Sequence, residues 1–200
     1  MARVTVTPDP FTLVPFDAAA IAALVEDVAA MVDFPPGVEI HVDVDEELFA
    51  PLTGHMADVV DGRAELWISG ANLEDTRAPR TFAPEQARLD FAVMLLRAKD
   101  RLTDDFAAAP PDRQLGRGER IAWDVYAIGR ADRFGLTTRR QRELYDFRLQ
   151  HGFTDVADAA FDRCWAAPSM TYAGILEISK ETGAADRRPS KVPVDILRQK

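Results

Sequence analysis

Four polar side chains alternate along one short stretch: Glu39, His41, Asp43 and Asp45. Between them stand Val38, Ile40, Val42 and Val44. Strict alternation is the period of a strand, so the polar residues share one face and the apolar residues the other. Alternate residues on a strand lie about 7 Å apart, at a rise of ~3.3 Å per residue. An imidazole among carboxylates at that spacing can meet a hard cation, or can divide acid and base roles if the environments differ. A solvated sheet face produces the same pattern. No calcium-loop spacing accompanies it.

The other reactive side chains stand apart in sequence. His55 falls in a stretch that reads as a loop, and His151 precedes Gly152 at a helix end, where the helix dipole accounts for it. Neither has a second histidine or a cysteine four residues on. Cys164 lies in a helical pattern with no histidine nearby to activate it, which predicts a buried, inert thiol. A single cysteine excludes a disulfide framework and any multi-cysteine metal site. Nucleophile-elbow, Walker A and dinucleotide-binding motifs are absent. Nine arginines from Arg113 to Arg148 interleave with acids, the composition of salt-bridged helix faces. Among them Arg139, Arg140 and Arg142 could meet an anion at a helix start. Trp123 and Tyr126 are three residues apart, so they share a helix face. Trp67 is a further amphipathic aromatic.

The elements that position these groups can be read from period and punctuation. A strand is expected over 2–7. Asp17 caps a helix that runs to about Val32, with Phe16 and Ile21 spaced as a staple. Strands follow from Val38 to Glu46 and from Ala64 to Ser69, with His55 and Asp61-Gly62 in the loop between. Pro84 opens a long helix ending near Leu102, with Ala87, Phe91, Met94, Leu95, Ala98 and Leu102 as its core stripe. The 107–118 stretch reads as an internal linker. Helices are expected over 119–134, 138–150, 154–166 and 170–181, and a polar tail over 184–200. Mixed elements followed by helices argue α+β, with a small N-terminal sheet and a helical C-terminal half. The expected division is 1–106, linker, and 119–183 packed on the first part as one compact domain.

Composition bounds the rest. The chain has 200 residues, 47% hydrophobic and 28% charged, as folded domains do. The first hundred residues carry 18 acids against 7 bases, and the second hundred 15 against 17. An acidic half repels phosphate backbones, so nucleic acid is not an expected partner. There is no signal-type apolar segment at the start and no run of ~18 apolar residues. High arginine and alanine usage suggests a GC-rich bacterial genome, and together these features lead us to expect a bacterial cytoplasmic protein that does not insert in a membrane.

The order helix, strand, strand, long helix, further helix over about residues 17–135 resembles a minimal zincin-like metallopeptidase. In that family the long helix carries HExxH, two zinc-binding histidines one turn apart with a glutamate as general base. The corresponding segment here is Leu89-Asp90-Phe91-Ala92-Val93-Met94. Asp90 would stand at the first histidine, Phe91 at the glutamate and Met94 at the second histidine. The later Glu119-to-Asp124 segment looks like the family's following helix, which often supplies a third acidic ligand. The resemblance thus implies a degenerate scaffold without zinc hydrolysis. It leaves a cleft between the Ala64–Ser69 strand and the Pro84–Leu102 helix, where an edge strand could pair with an extended peptide.

The expectation is a non-catalytic binding or regulatory protein without metal or cofactor, using Trp67, Asp90 and Tyr126. The alternatives are a hydrolase using Glu39, His41, Asp43 and Asp45, or a homo-oligomeric assembly. A peptide or protein partner, or a homodimer, is the expected company.

Overall fold

The computed structural model describes residues 3–49, 54–75 and 77–184. The tail expected over 184–200 lies, past Ala184, outside the described residues. The fold is α+β. Four strands form a mixed sheet: β1 (Val4–Thr7), β2 (Ile40–Asp45), β3 (His55–Val60) and β4 (Arg63–Ser69). Their order is β1-β2-β4-β3, with β3 antiparallel to β4 and the other pairs parallel. Alternation in β2 works as its pattern requires: Ile40, Val42 and Val44 are buried, and His41, Asp43 and Asp45 face the other side.

Two corrections follow for the strands. The stretch around His55, expected as a loop, is strand β3. It joins β4 through Asp61 and Gly62, both with positive φ (51° and 78°), the geometry of a two-residue hairpin turn. The Ala64–Ser69 strand is therefore interior, not an edge. The edge beside it is β3.

Helix α1 (Ala18–Met31) connects β1 to β2 and covers the apolar sheet face. Asp17 caps it, its side chain accepting from the Ala19 N–H. Between β4 and the next long helix lie one turn of helix, α2 (Gly70–Leu73), and a two-stranded ribbon, β5 (Glu74–Asp75) and β6 (Ala78–Phe82). Helix α3 (Pro84–Arg101) then runs through the centre of the molecule. Its predicted stripe is buried from Ala87 to Ala98, and so are Ala92, Val93, Leu96 and Arg97 between them. A helix buried on nearly every side must have neighbours on every side. The neighbours are the sheet, α1 and α4 (Arg117–Arg133). Helices α5 (Arg140–His151), α6 (Asp155–Ala166) and α7 (Tyr172–Glu181) pack on α4 around Trp123, Phe147 and Phe161. Ala127, Ile128 and Ala131 of α4 belong instead to the core under the sheet.

The 107–118 stretch is bound to the first half rather than spanning freely. Its Asp112 is fully buried, and it contacts the edge of β3. No helix among the described residues is long and apolar enough to cross a membrane.

Candidate functional site

Arg97 explains why polar side chains gather below β3. It has no solvent exposure, and a guanidinium taken out of water needs carboxylates and hydrogen bonds around it. Two carboxylates meet it. Nη1 donates to Asp124 Oδ1 at 2.9 Å, and Nη2 donates to Asp112. Asp112 comes from the turn before α4 and Asp124 from α4 itself. Burying Arg97 on α3 therefore ties three segments to one point.

Asp124 in turn faces His55. The imidazole Nε2 lies 3.9 Å from Asp124 Oδ1, and Nδ1 lies 4.0 Å from Asp90 Oδ1. Asp90 is held by Asn72, whose Nδ2 donates to Oδ2 at 2.8 Å. The Asn72 carbonyl oxygen accepts from Ser69 Oγ and from the Gly54 N–H, each at 2.8 Å. These four side chains therefore come from β3, α2, α3 and α4. His55, Asp90 and Asp124 keep 20%, 27% and 21% of their side-chain surface in solvent, so the cluster lies open at one side.

The charges tune one another. Burial pushes His55 down, but Asp124 and Asp90 outweigh it and hold the ring protonated above its ordinary value. Burial pushes Asp124 up, and Arg97 and His55 outweigh that, leaving it below the usual carboxylate range. Glu143 of α5 is the exception. Burial raises it first, then Asp146, with Asp124 and Asp90 adding to the repulsion and Arg142 opposing it. The carboxyl is pushed up to about 7.

Zinc chemistry does not fit this arrangement. At the positions the zincin resemblance would give to the base and the second histidine, Phe91 and Met94 are fully buried. His55 presents a different ring nitrogen to each carboxylate, so a single ion cannot meet all three groups. Asp124 Oδ1 is already taken by Arg97. Among the described residues no group of three His, Cys, Asp or Glu side chains is placed to hold an ion.

The residues expected from sequence do not converge. Asp90 is in the cluster. Trp67 is on β4 with its side chain on the opposite face of the sheet, because neighbours Leu66 and Ile68 are the ones that face the core. Tyr126 is buried, its hydroxyl accepting from the Met170 N–H at 3.2 Å and its ring covered by Arg130 at 3.9 Å. It packs and does not open to a cleft. The acidic β2 face is likewise outside the cluster. Glu39 pairs loosely with Arg3, His41 bonds Glu65 at 2.7 Å, and Asp45 accepts from the Glu47 N–H. Among the arginines, Arg140 meets Asp162 and Arg142 meets Asp146. His151 is a buried strut, with Nδ1 at 2.7 Å from Thr182 Oγ1 and its ring stacked on Phe147. Burial pushes the Cys164 thiol up to about 12, consistent with an inert group.

His55, Asn72, Arg97, Asp124 and Glu143 escape sequence reasoning as a set. Asp61-Gly62 is the available signal for a hairpin that makes His55 a strand residue. Nothing local marks Arg97 as the buried arginine.

The edge of β3 is closed beside the cluster. The Ala57 N–H donates to Asp112 Oδ2 at 3.1 Å, and the Ala57 carbonyl accepts from Arg101 Nε at 2.9 Å. Side chains thus take the two backbone groups that a docked peptide strand would need there.

No family model matches the chain, and no curated protein or solved structure matches it.

Proposed function

We propose that the protein is a non-catalytic binding protein on a zincin-like scaffold, and that the opening over His55 takes a basic group of its ligand. The observation that carries this is the pair of carboxylates on the two ring nitrogens of His55. Such flanking favours imidazolium, which has no lone pair for base catalysis. Asp124 is occupied by Arg97. That leaves Glu143, which the Asp146, Asp124 and Asp90 charges all raise, as the acceptor least compensated by cations. An ammonium or guanidinium entering beside these carboxylates offsets their repulsion and favours the ionised form of Glu143.

Titration with N-acetyl-lysine amide and N-acetyl-arginine amide tests the reading. Saturable binding is expected, weakened at least tenfold in Asp90→Asn. Equal binding to wild type and Asp90→Asn, or no binding at all, sinks it.

A proton-transfer enzyme is the second reading, favoured by Glu143 alone. A carboxyl near 7 that feels the charge of an ionised Asp124 is the split that acid–base catalysis uses. That reading requires turnover of chromogenic ester or glycoside substrates that disappears in Glu143→Gln.

A further inference from the structure

The outer face of the sheet carries a groove of about 560 Å³ that none of the groups above explains. Strand register fixes its floor. Asp43 pairs with Trp67, and Trp67 with Met56, so the three side chains form a row across β2, β4 and β3. The wall beyond β3 includes Arg113, from the turn that carries Asp112. The volume lies in the range of small-ligand sites, about 300–1,000 Å³.

Most charges in the groove are already matched. Glu65 is held by His41 at 2.7 Å and by Arg63 at 2.5 Å. Asp58 accepts from the Asp112 N–H at 2.8 Å and faces Arg101 at 3.5 Å. Asp43 and Arg113 are different. Neither has an ion pair or side-chain hydrogen bond among the described residues. They stand on opposite sides of the Trp67–Met56 floor. Adjacent strands are about 4.8 Å apart, so β2 and β3 are about 10 Å apart, with Arg113 beyond. A free carboxylate beside an aromatic ring suits a cation. A free guanidinium suits a carboxylate. An apolar floor between them suits an apolar middle. A tripeptide extended at ~3.5 Å per residue spans about the same distance.

We propose that this groove binds a short peptide with free termini, its amino group against Asp43 and Trp67 and its carboxylate against Arg113. This site is separate from the His55 cluster, since the sheet lies between them. The peptide runs across the strands, so it does not use the closed edge of β3.

Calorimetric titration of the full chain with the tripeptide Ala-Leu-Ala tests the proposal, alongside its N-acetylated and C-amidated forms. The free peptide is expected to bind saturably, and blocking either end to weaken it at least tenfold. Asp43→Asn should weaken the free peptide to the level of the acetylated form, and acetylation should then cost nothing more. Arg113→Gln should behave in the same way toward amidation. Both side chains are exposed, and unchanged melting temperatures confirm that the variants fold. Two results overturn the proposal: no saturable binding, or equal binding of free and end-blocked peptides.

Discussion

Glu143 and His55 respond to pH in the same direction, although one is an acid and the other a base. Burial, Asp146, Asp124 and Asp90 raise Glu143 to about 7, so the folded state ionises it later than the unfolded chain does, near 4.3. Its ionisation therefore opposes folding, and stability falls as pH rises from about 4.5 to 7. His55 is raised too, so its contribution is present below about 6.5 and lost as pH rises through its folded value. Asp124 is lowered, so its contribution is present above the ordinary carboxylate value and is lost as pH falls from there through its folded value. Replacing Glu143 by Gln should thus stabilise the protein at pH 8.5 and leave it nearly unchanged at pH 4.5. A tenfold change in an ionisation constant on folding is worth about 1.4 kcal/mol, and solvent at this half-buried position reduces the effect, so the gain expected is about 1–2 kcal/mol. Thermal melts at the two pH values measure it. An equal gain at both would mean that ionisation is not the cause. None of these shifts can be read in sequence, because a pKa depends on which distant charges folding brings near.

A segment between elements can tie several of them together. Asp112 sits in a short turn, yet it receives Arg97 and the Ala57 N–H, with Arg101 and Arg120 at 3.8 and 3.7 Å. It joins α3, the edge of β3 and the start of α4. Removing one partner of a buried pair leaves a charge without compensation, at about 3–5 kcal/mol. Asp112→Ala should cost that much in urea unfolding. Hydrogen exchange at the Ala57 amide should also speed up relative to Ala64 in the sheet interior. A loss of stability with Ala57 still protected would show that the turn does not guard the edge. The 107–118 segment reads as a linker because Pro110, Pro111, Gly116 and Gly118 punctuate it. Punctuation reports local backbone preference and is silent about what a side chain in the segment will meet.

Taken as a whole, the molecule depends on close approach between its helices. A Cβ added at Gly129 of α4 would lie 2.2 Å from the Trp165 carbonyl oxygen of α6, a backbone atom that cannot rotate away. Alanine gains about 1 kcal/mol of helix propensity over glycine, and overpacking typically costs about 1–3 kcal/mol or more. The clash wins, so Gly129→Ala should destabilise by at least about 2 kcal/mol in a denaturant titration. A neutral or stabilised variant would mean that α4 and α6 stand further apart. Local pattern was enough for the α+β class, the cap at Asp17, the β2 alternation and most of the α3 stripe. Those features rest on residues within a few positions of one another, where sterics and solvent act directly. Strand order, the burial of Arg97, the meeting of His55 with Asp90 and Asp124, and the separation of Trp67 from all of them were decided by tertiary packing. Contacts between residues far apart along the chain have no period to read, and the free energy that forms them exists only once the core has closed.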